Sequence, residues 1–182
     1  MHTLAGSCLL VVALLAQVTY LNAHRQPSTA ARPATASVRW FGVAYPLVML
    51  VLFVVGLDLV LLAGRGTAAH ELPPALRWLG IGGMLGGSAL FVWARRSLGA
   101  NYSPCFASRQ PLAVVAQGAY RWFRHPMYVG NLTTIGGAAL AAGSWWLVLA
   151  WTVVAIAYWR AARDENAVLA RVARAMGVPH GA

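Results

Sequence analysis

The residues best equipped for chemistry in this chain stand in two places. One is Gly118-Ala119-Tyr120-Arg121-Trp122-Phe123-Arg124-His125-Pro126-Met127-Tyr128-Val129-Gly130, at the head of an apolar run; the other is the acidic pair Asp164-Glu165, behind the next run. Pro126 suits the first turn of a helix, where its missing N–H would be unpaired in any case, which puts His125 at the cap. The open amides and the positive end of the helix dipole point out of such an end, and Arg121 and Arg124 add charge to it. It should attract an anion. Arginines flanking an apolar span are equally the ordinary signal of membrane orientation, so the residues alone leave both readings open.

Composition fixes what must hold these residues. The chain is 59% hydrophobic and only 10% charged, where soluble domains carry about 25% charged residues. Leu4 to Leu21 is long enough to span a hydrocarbon core of ~30 Å; with no arginine ahead of it and Leu21-Asn22-Ala23 unsuited to cleavage, it reads as a retained helix and not a signal peptide. Asn22 to Arg39, rich in Pro, Ala, Ser and Thr, reads as a flexible linker. Further spans are expected from about Trp40 to Leu62 and Leu76 to Trp93, with a polar stretch from Ala94 to His125. Two shorter runs, Met127 to Ala142 and Trp145 to Trp159, are joined only by Gly143-Ser144 and read as a tight helical hairpin. A helix of roughly 16 residues is ~24 Å long, short of the core, so space for a pocket is expected at one face of the bundle.

The fold expected is thus an all-α integral membrane protein of about five transmembrane helices with a short C-terminal helical hairpin. Residues 1–39 form an N-terminal helix and linker, and 40–182 the core with its tail. All 14 basic residues are arginine. With the C-terminus inside, only Arg65 and Arg77 fall on outer segments, so the N-terminus is expected outside and the 118–130 stretch and Asp164-Glu165 in the cytoplasm. A formal net charge of +10, spread over loops of an apolar chain, reports orientation and anionic lipid and not nucleic acid. Arginine without lysine, beside abundant Ala and Gly, suits a GC-rich bacterial genome and hence an inner membrane.

Smaller signals fill in the packing. Gly82-x-x-x-Gly86 and Gly83-x-x-x-Gly87 overlap in the third span, and Thr133, Gly137 and Ala141 share a face of the fourth; such small residues let helices approach closely. Cys8 and Cys105 lie far apart with no C-x-x-C and no nearby His, which indicates neither a disulfide nor a metal site. Asp58, inside the second span, lies near its outer end, where Arg65 or water can meet it.

Gly118-Ala119-Tyr120, the block Arg124-His125-Pro126-x-Tyr128-x-Gly130, a helical hairpin and then Glu165-Asn166-Ala167-Val168-Leu169 resemble the isoprenylcysteine carboxyl methyltransferase family and its phospholipid N-methyltransferase relatives. Trp159-Arg160-Ala161-Ala162-Arg163-Asp164 leads into the acidic block as in that family, and Leu98-Gly99-Ala100-Asn101-Tyr102-Ser103 resembles its loop after the preceding span. The likeness covers roughly residues 76 to 169. Two departures stand out: Asn166 replaces a second glutamate, and the chain after Leu169 lacks the family's Phe-Gly and paired tyrosines.

The resemblance implies a membrane methyltransferase that uses S-adenosylmethionine, bound on the cytoplasmic side between hairpin and C-terminal segment. His125, Pro126, Met127, Tyr128 and Gly130 would receive the cofactor's carboxylate at the helix start, and Glu165 and Asn166 its ammonium or ribose. Tyr120 and Tyr128 would pack on adenine or face the sulfonium, with Val114 and Val115 along the adenine. Arg163 or Arg160 would orient an acceptor carboxylate, as catalytic residues, or simply snorkel at a helix end. A carboxylate nucleophile needs no general base, whereas an amine needs one. The expectation is methylation of a lipophilic carboxylate of isoprenoid or prenylcysteine type. Alternatives are a phospholipid amine, small thiol or phenol as acceptor, or a non-catalytic membrane scaffold of the same fold.

Overall fold

The computed structural model of the chain describes residues 2–24, 36–63, 65–66, 70–99 and 115–175, and every element among the described residues is helical. Among these residues the α-helices are α1 (His2–His24), α2 (Ala36–Leu61), α3 (Pro74–Leu98), α4 (Pro126–Ala142) and α5 (Trp145–Ala175), and a 3-10 turn at Gly118–Arg121 precedes α4. Helix starts and stops obey local rules. Pro74 and Pro126 occupy the first turns of α3 and α4, where a missing N–H costs nothing. Gly99 (φ 52°) and Gly143 (φ 66°) end them in backbone conformations open to glycine. The Gly143 amide closes α4 on the Ala139 carbonyl at 2.9 Å.

Two boundaries depart from expectation. The polar-looking linker is shorter at both ends, because α1 continues to His24 and α2 begins at Ala36; residues 25–35 lie outside the described part. The second arm of the hairpin is not short. α5 runs unbroken for 31 residues, since nothing between Trp159 and Ala175 is Gly or Pro, and Ala, Arg, Glu and Leu all favour helix. The acidic block therefore rides on α5 itself and does not follow it.

α3 and α4 make the most extensive contact in the bundle, and glycine is the reason. A Cβ on Gly80 would lie 2.7 Å from the Gly137 carbonyl oxygen, and one on Gly87 2.6 Å from that of Gly130. The seam on α3 is Gly80, Gly83 and Gly87, whereas Gly82 and Gly86 face open space. On α4 the seam takes Gly130, Thr134 and Gly137, with Thr134 buried and the expected Thr133 exposed. α1 and α2 pair through Gly6 and Gly56. Leu9 and Ala13, Leu52 and Leu59, Met84, Ile135 and Ala138, and Leu147 and Val154 join all five helices in one core.

Large apolar side chains instead cover the outside, such as Leu14 and Leu15 on α1, Leu50 and Phe53 on α2, and Leu79 and Leu85 on α3. Small residues inside and large apolar ones outside is the pattern of helices packed in lipid, where association depends on close approach and not on hiding leucine from water. Two segments, Pro74–Leu98 and Trp145–Asp164, are long and apolar enough to cross a membrane.

At the end opposite the cap of α4, the structure converts expected loop charges into packed ones. Arg77 is buried in the first turn of α3. Its guanidinium donates to the carbonyls of His70 (3.1 Å) and Leu72 (3.3 Å) and meets both ring nitrogens of His2 at 3.2 Å. Burial and the adjacent Arg77 charge hold His2 below the usual histidine range. Asp58 is buried too, its Oδ1 accepting the Gly66 amide at 2.8 Å.

Candidate active site

The approach to α4 is built on the last turn of α3. Gly118 (φ 62°) lies so close to Ser97 that a Cβ there would collide with its hydroxyl, and the Ala119 amide donates to Ser97 Oγ at 3.3 Å. This docks the 3-10 turn, and with it the half-buried Tyr120, beside Arg95 and Arg96. Arg121 reaches over the exposed Trp122 ring at 5.9 Å, and Arg124 is exposed.

His125 occupies the cap position of α4 by its backbone, its carbonyl receiving the Tyr128 and Val129 amides at 3.1 and 3.2 Å. Its side chain makes no capping bond. The imidazole instead stacks on Tyr128, centroids 5.1 Å apart and planes within 4°, and Tyr128 stacks in the same way on Tyr158 of α5 at 4.5 Å. Asn131, one turn beyond Tyr128, donates to the Tyr158 hydroxyl at 2.6 Å. Pro126 is buried and Met127 half-buried in the first turn of the same helix.

The stack fixes which part of α5 stands beside the start of α4. Tyr158 lies level with the first turn of α4, so residues 162–166 project beyond its start. Arg160, Arg163 and Asp164 are exposed, and the Arg163 guanidinium covers the Trp159 ring at 4.8 Å. Asn166 turns inward: its Oδ1 is buried with no hydrogen-bond partner among the described residues, a state that costs about 1–3 kcal/mol unless a donor arrives. Glu165 is one residue earlier on the same helix.

Of the residues expected at a site, the structure brings Tyr120, His125, Pro126, Met127, Tyr128, Arg160, Arg163 and Asn166 to one end of the bundle, with the backbone of Glu165. Val115 is half-buried at the foot of the 3-10 turn, and Val114 lies outside the described residues. Gly130 serves the helix seam, with Gly87 O and Phe91 N each 2.9 Å from where its Cβ would be. Tyr158 and Asn131 were not anticipated. The signal existed: Tyr158 precedes Glu165 by seven residues, two helical turns on one face, and Asn131 is a polar residue inside an apolar span.

This end of the molecule carries arginines on α3, the 3-10 turn and α5, together with a partly buried aromatic stack and a buried amide oxygen that has no hydrogen-bond partner among the described residues. It can hold a ligand with both anionic and hydrogen-bond-donating groups. A family model for phospholipid methyltransferases matches residues 75–173, from the start of α3 to the last turn of α5. No curated protein and no solved structure matches the chain. The family match takes in both halves of the site and more than half of the 182 residues; the chain belongs to the phospholipid methyltransferase family, which includes the isoprenylcysteine carboxyl methyltransferases.

Proposed function

We propose that the protein is an integral membrane methyltransferase that transfers a methyl group from S-adenosylmethionine to the carboxylate of a lipophilic acceptor of isoprenoid or prenylcysteine type. The observation that carries this reading is the meeting of the α4 cap with the 158–166 stretch of α5 at one end of the bundle, through the His125–Tyr128–Tyr158 stack. Methyltransferases of this family generally use S-adenosylmethionine. The residues present fit that cofactor. Its ammonium, adenine amine and ribose hydroxyls are donors, and Asn166 Oδ1 is a buried acceptor in want of one. Its carboxylate suits the positive end of α4 beside Arg121 and Arg124.

In this reading five helices cross the inner membrane of a bacterium, with the N-terminus outside and this site in the cytoplasm, an orientation that the arginine distribution supports. When bound, the cofactor would supply an electrophilic methyl group, and an acceptor carboxylate, already anionic, would need no base from the protein. The protein's share is alignment and exclusion of water. By the family resemblance Val114, Val115 and Tyr120 would line the adenine, and Glu165 and Asn166 would hold the donor groups. His125, Pro126, Met127 and Tyr128 form the floor at the helix start, and Gly130 lets that floor sit close on α3. Tyr128 works as one plate of a stack and not as a free aromatic face. Arg160 and Arg163 orient the acceptor carboxylate, Arg163 steadied on Trp159.

A phospholipid amine is the second reading, favoured by the description of the matching family model. It would require a base, for which His125 and Asp164 are the candidates at this end. Calorimetry of the purified protein with S-adenosylhomocysteine tests the cofactor site, binding being expected and its absence refuting the enzyme. Transfer of labelled methyl to extracted lipid then divides the acceptors: base-labile product supports an ester, and base-stable product the amine.

A further inference from the structure

We infer that Tyr158 and Asn131 are positioning residues of the cofactor subsite, holding the α5 wall in register with the cap of α4; the inference rests on the methyltransferase reading above. Three rings from three places, His125 ahead of α4, Tyr128 in its first turn and Tyr158 on α5, lie parallel within 4° at each step. A run of parallel rings tolerates sliding, because offset stacking is favourable over a range of displacements. The hydrogen bond from Asn131 Nδ2 to the Tyr158 hydroxyl removes that freedom: at 2.6 Å and part-buried it admits one ring position.

Packing alone does not call for this pair. Tyr158 is 6% exposed and belongs to the apolar core with Val154, Ile135 and Leu147, where phenylalanine facing leucine would fill the same space without polar atoms to satisfy. A polar pair retained in such surroundings selects a single geometry more than it adds stability. The geometry selected here is the placement of the residues that follow on the same rigid helix. Glu165 and Asn166 are seven and eight residues beyond Tyr158, roughly 10 to 12 Å along α5. A small rotation at Tyr158 therefore moves the Asn166 oxygen away from its ligand while leaving the core packed.

The test uses the full chain in detergent, with S-adenosylhomocysteine as the probe. Asn131→Leu and Tyr158→Phe each preserve shape and remove the hydrogen bond. Each is expected to weaken binding roughly three- to tenfold, the scale of one well-placed hydrogen bond, and to lower the thermal midpoint, because the partner left behind is a part-buried polar group without its bond; the double variant, which leaves neither, should recover the midpoint but not the binding. The double variant should lose no more than either single one, because both remove the same contact. In turnover the KM for the methyl donor should rise by the same factor while the KM for the acceptor stays put. Wild-type affinity in both variants, additive losses, or losses that only track a falling midpoint would overturn the inference. A wild-type protein that fails to bind the probe overturns the methyltransferase reading, and the inference with it.

Discussion

Two adjacent glycines of α3 should respond in opposite directions to the same substitution. At Gly87 an added Cβ lies 2.5 Å from the Thr134 amide nitrogen, 2.6 Å from the Gly130 oxygen and 2.7 Å from Thr134 Oγ1; at Gly86 nothing lies within 4 Å. Ordinary contact needs about 3.5 Å, so Gly87→Ala must push α4 outward by roughly 1 Å where its first turns carry Tyr128. Overpacking of this kind costs about 1–3 kcal/mol, and the better helix propensity of alanine returns up to about 1 kcal/mol. The net is a loss of up to about 2 kcal/mol at Gly87, against a gain of a few tenths to about 1 kcal/mol at Gly86. For a chain of this size that is a thermal midpoint lower by up to about 8 °C in one variant and higher by up to about 4 °C in its neighbour. Thermal unfolding in a mild detergent, followed by tryptophan fluorescence, reads both. Because Gly87 opposes the Gly130 turn, Gly87→Ala should also weaken S-adenosylhomocysteine binding, and Gly86→Ala should not. Equal shifts in the two variants would refute the seam, and with it the account of how α4 is held.

Other consequences follow from single groups. Asn166→Leu should leave the unliganded protein as stable or more so, because a buried orphan oxygen is removed, yet weaken S-adenosylhomocysteine binding about tenfold; parallel losses in melting and calorimetry would argue against a ligand contact. Arg163→Lys keeps the charge but not the planar contact on Trp159, so the KM for a carboxylate acceptor should rise about tenfold with donor binding unchanged in calorimetry. His2 precedes the apolar run that begins at Leu4, and its folded pKa is depressed chiefly by burial and then by Arg77. The unfolded chain thus binds the proton more readily, so stability present above pH 6.5 should fall as the pH drops through the histidine range. Melting of wild type and His2→Gln from pH 8 to 5 should show a steeper acid loss in the wild type.

The sequence announced α3, α4 and the tight turn at Gly143-Ser144 because apolar runs bounded by Pro and Gly leave few alternatives. It misjudged where α5 ends: the change from apolar to charged residues after Trp159 marks a change of surroundings, and helix propensity continues through it to Ala175. The role of Arg77 was equally hidden, since a charge next to a span reads as a loop residue until the carbonyls of His70 and Leu72 are seen to surround it. At the site, the block from His125 to Tyr128 was legible by motif, but the use of its side chains was not. His125 fits the cap position by sequence, and only the parallel Tyr128 ring, itself held against Tyr158 of α5, shows that the imidazole stacks and does not cap. Gly130, matched by motif to the cofactor, is seen to meet Phe91 of α3.

What joins these pieces is the length of the hairpin turn. Two residues between α4 and α5 leave the antiparallel pair almost no freedom of register, so residues equally distant from the turn must meet. Gly136 is seven residues before Gly143 and Trp151 seven after Ser144, and the Trp151 indole lies 3.3 Å from where a Gly136 Cβ would be, donating to the Leu132 carbonyl at 2.9 Å. Tyr128 and Tyr158 stand fifteen before and fourteen after the same two residues, and they stack. By that count Pro126 lies level with Ala161, itself buried, so residues 162–166 overhang the start of α4 by up to about 7 Å. The wall of the proposed site is simply the part of α5 that outruns its partner. One inserted alanine between Trp151 and Tyr158 would keep the turn and the Trp151 contact but rotate everything beyond by about 100°, abolishing S-adenosylhomocysteine binding. The same insertion after Ala167 lies past the wall and should leave binding intact, and equal loss from both insertions would show that the site is not built by register.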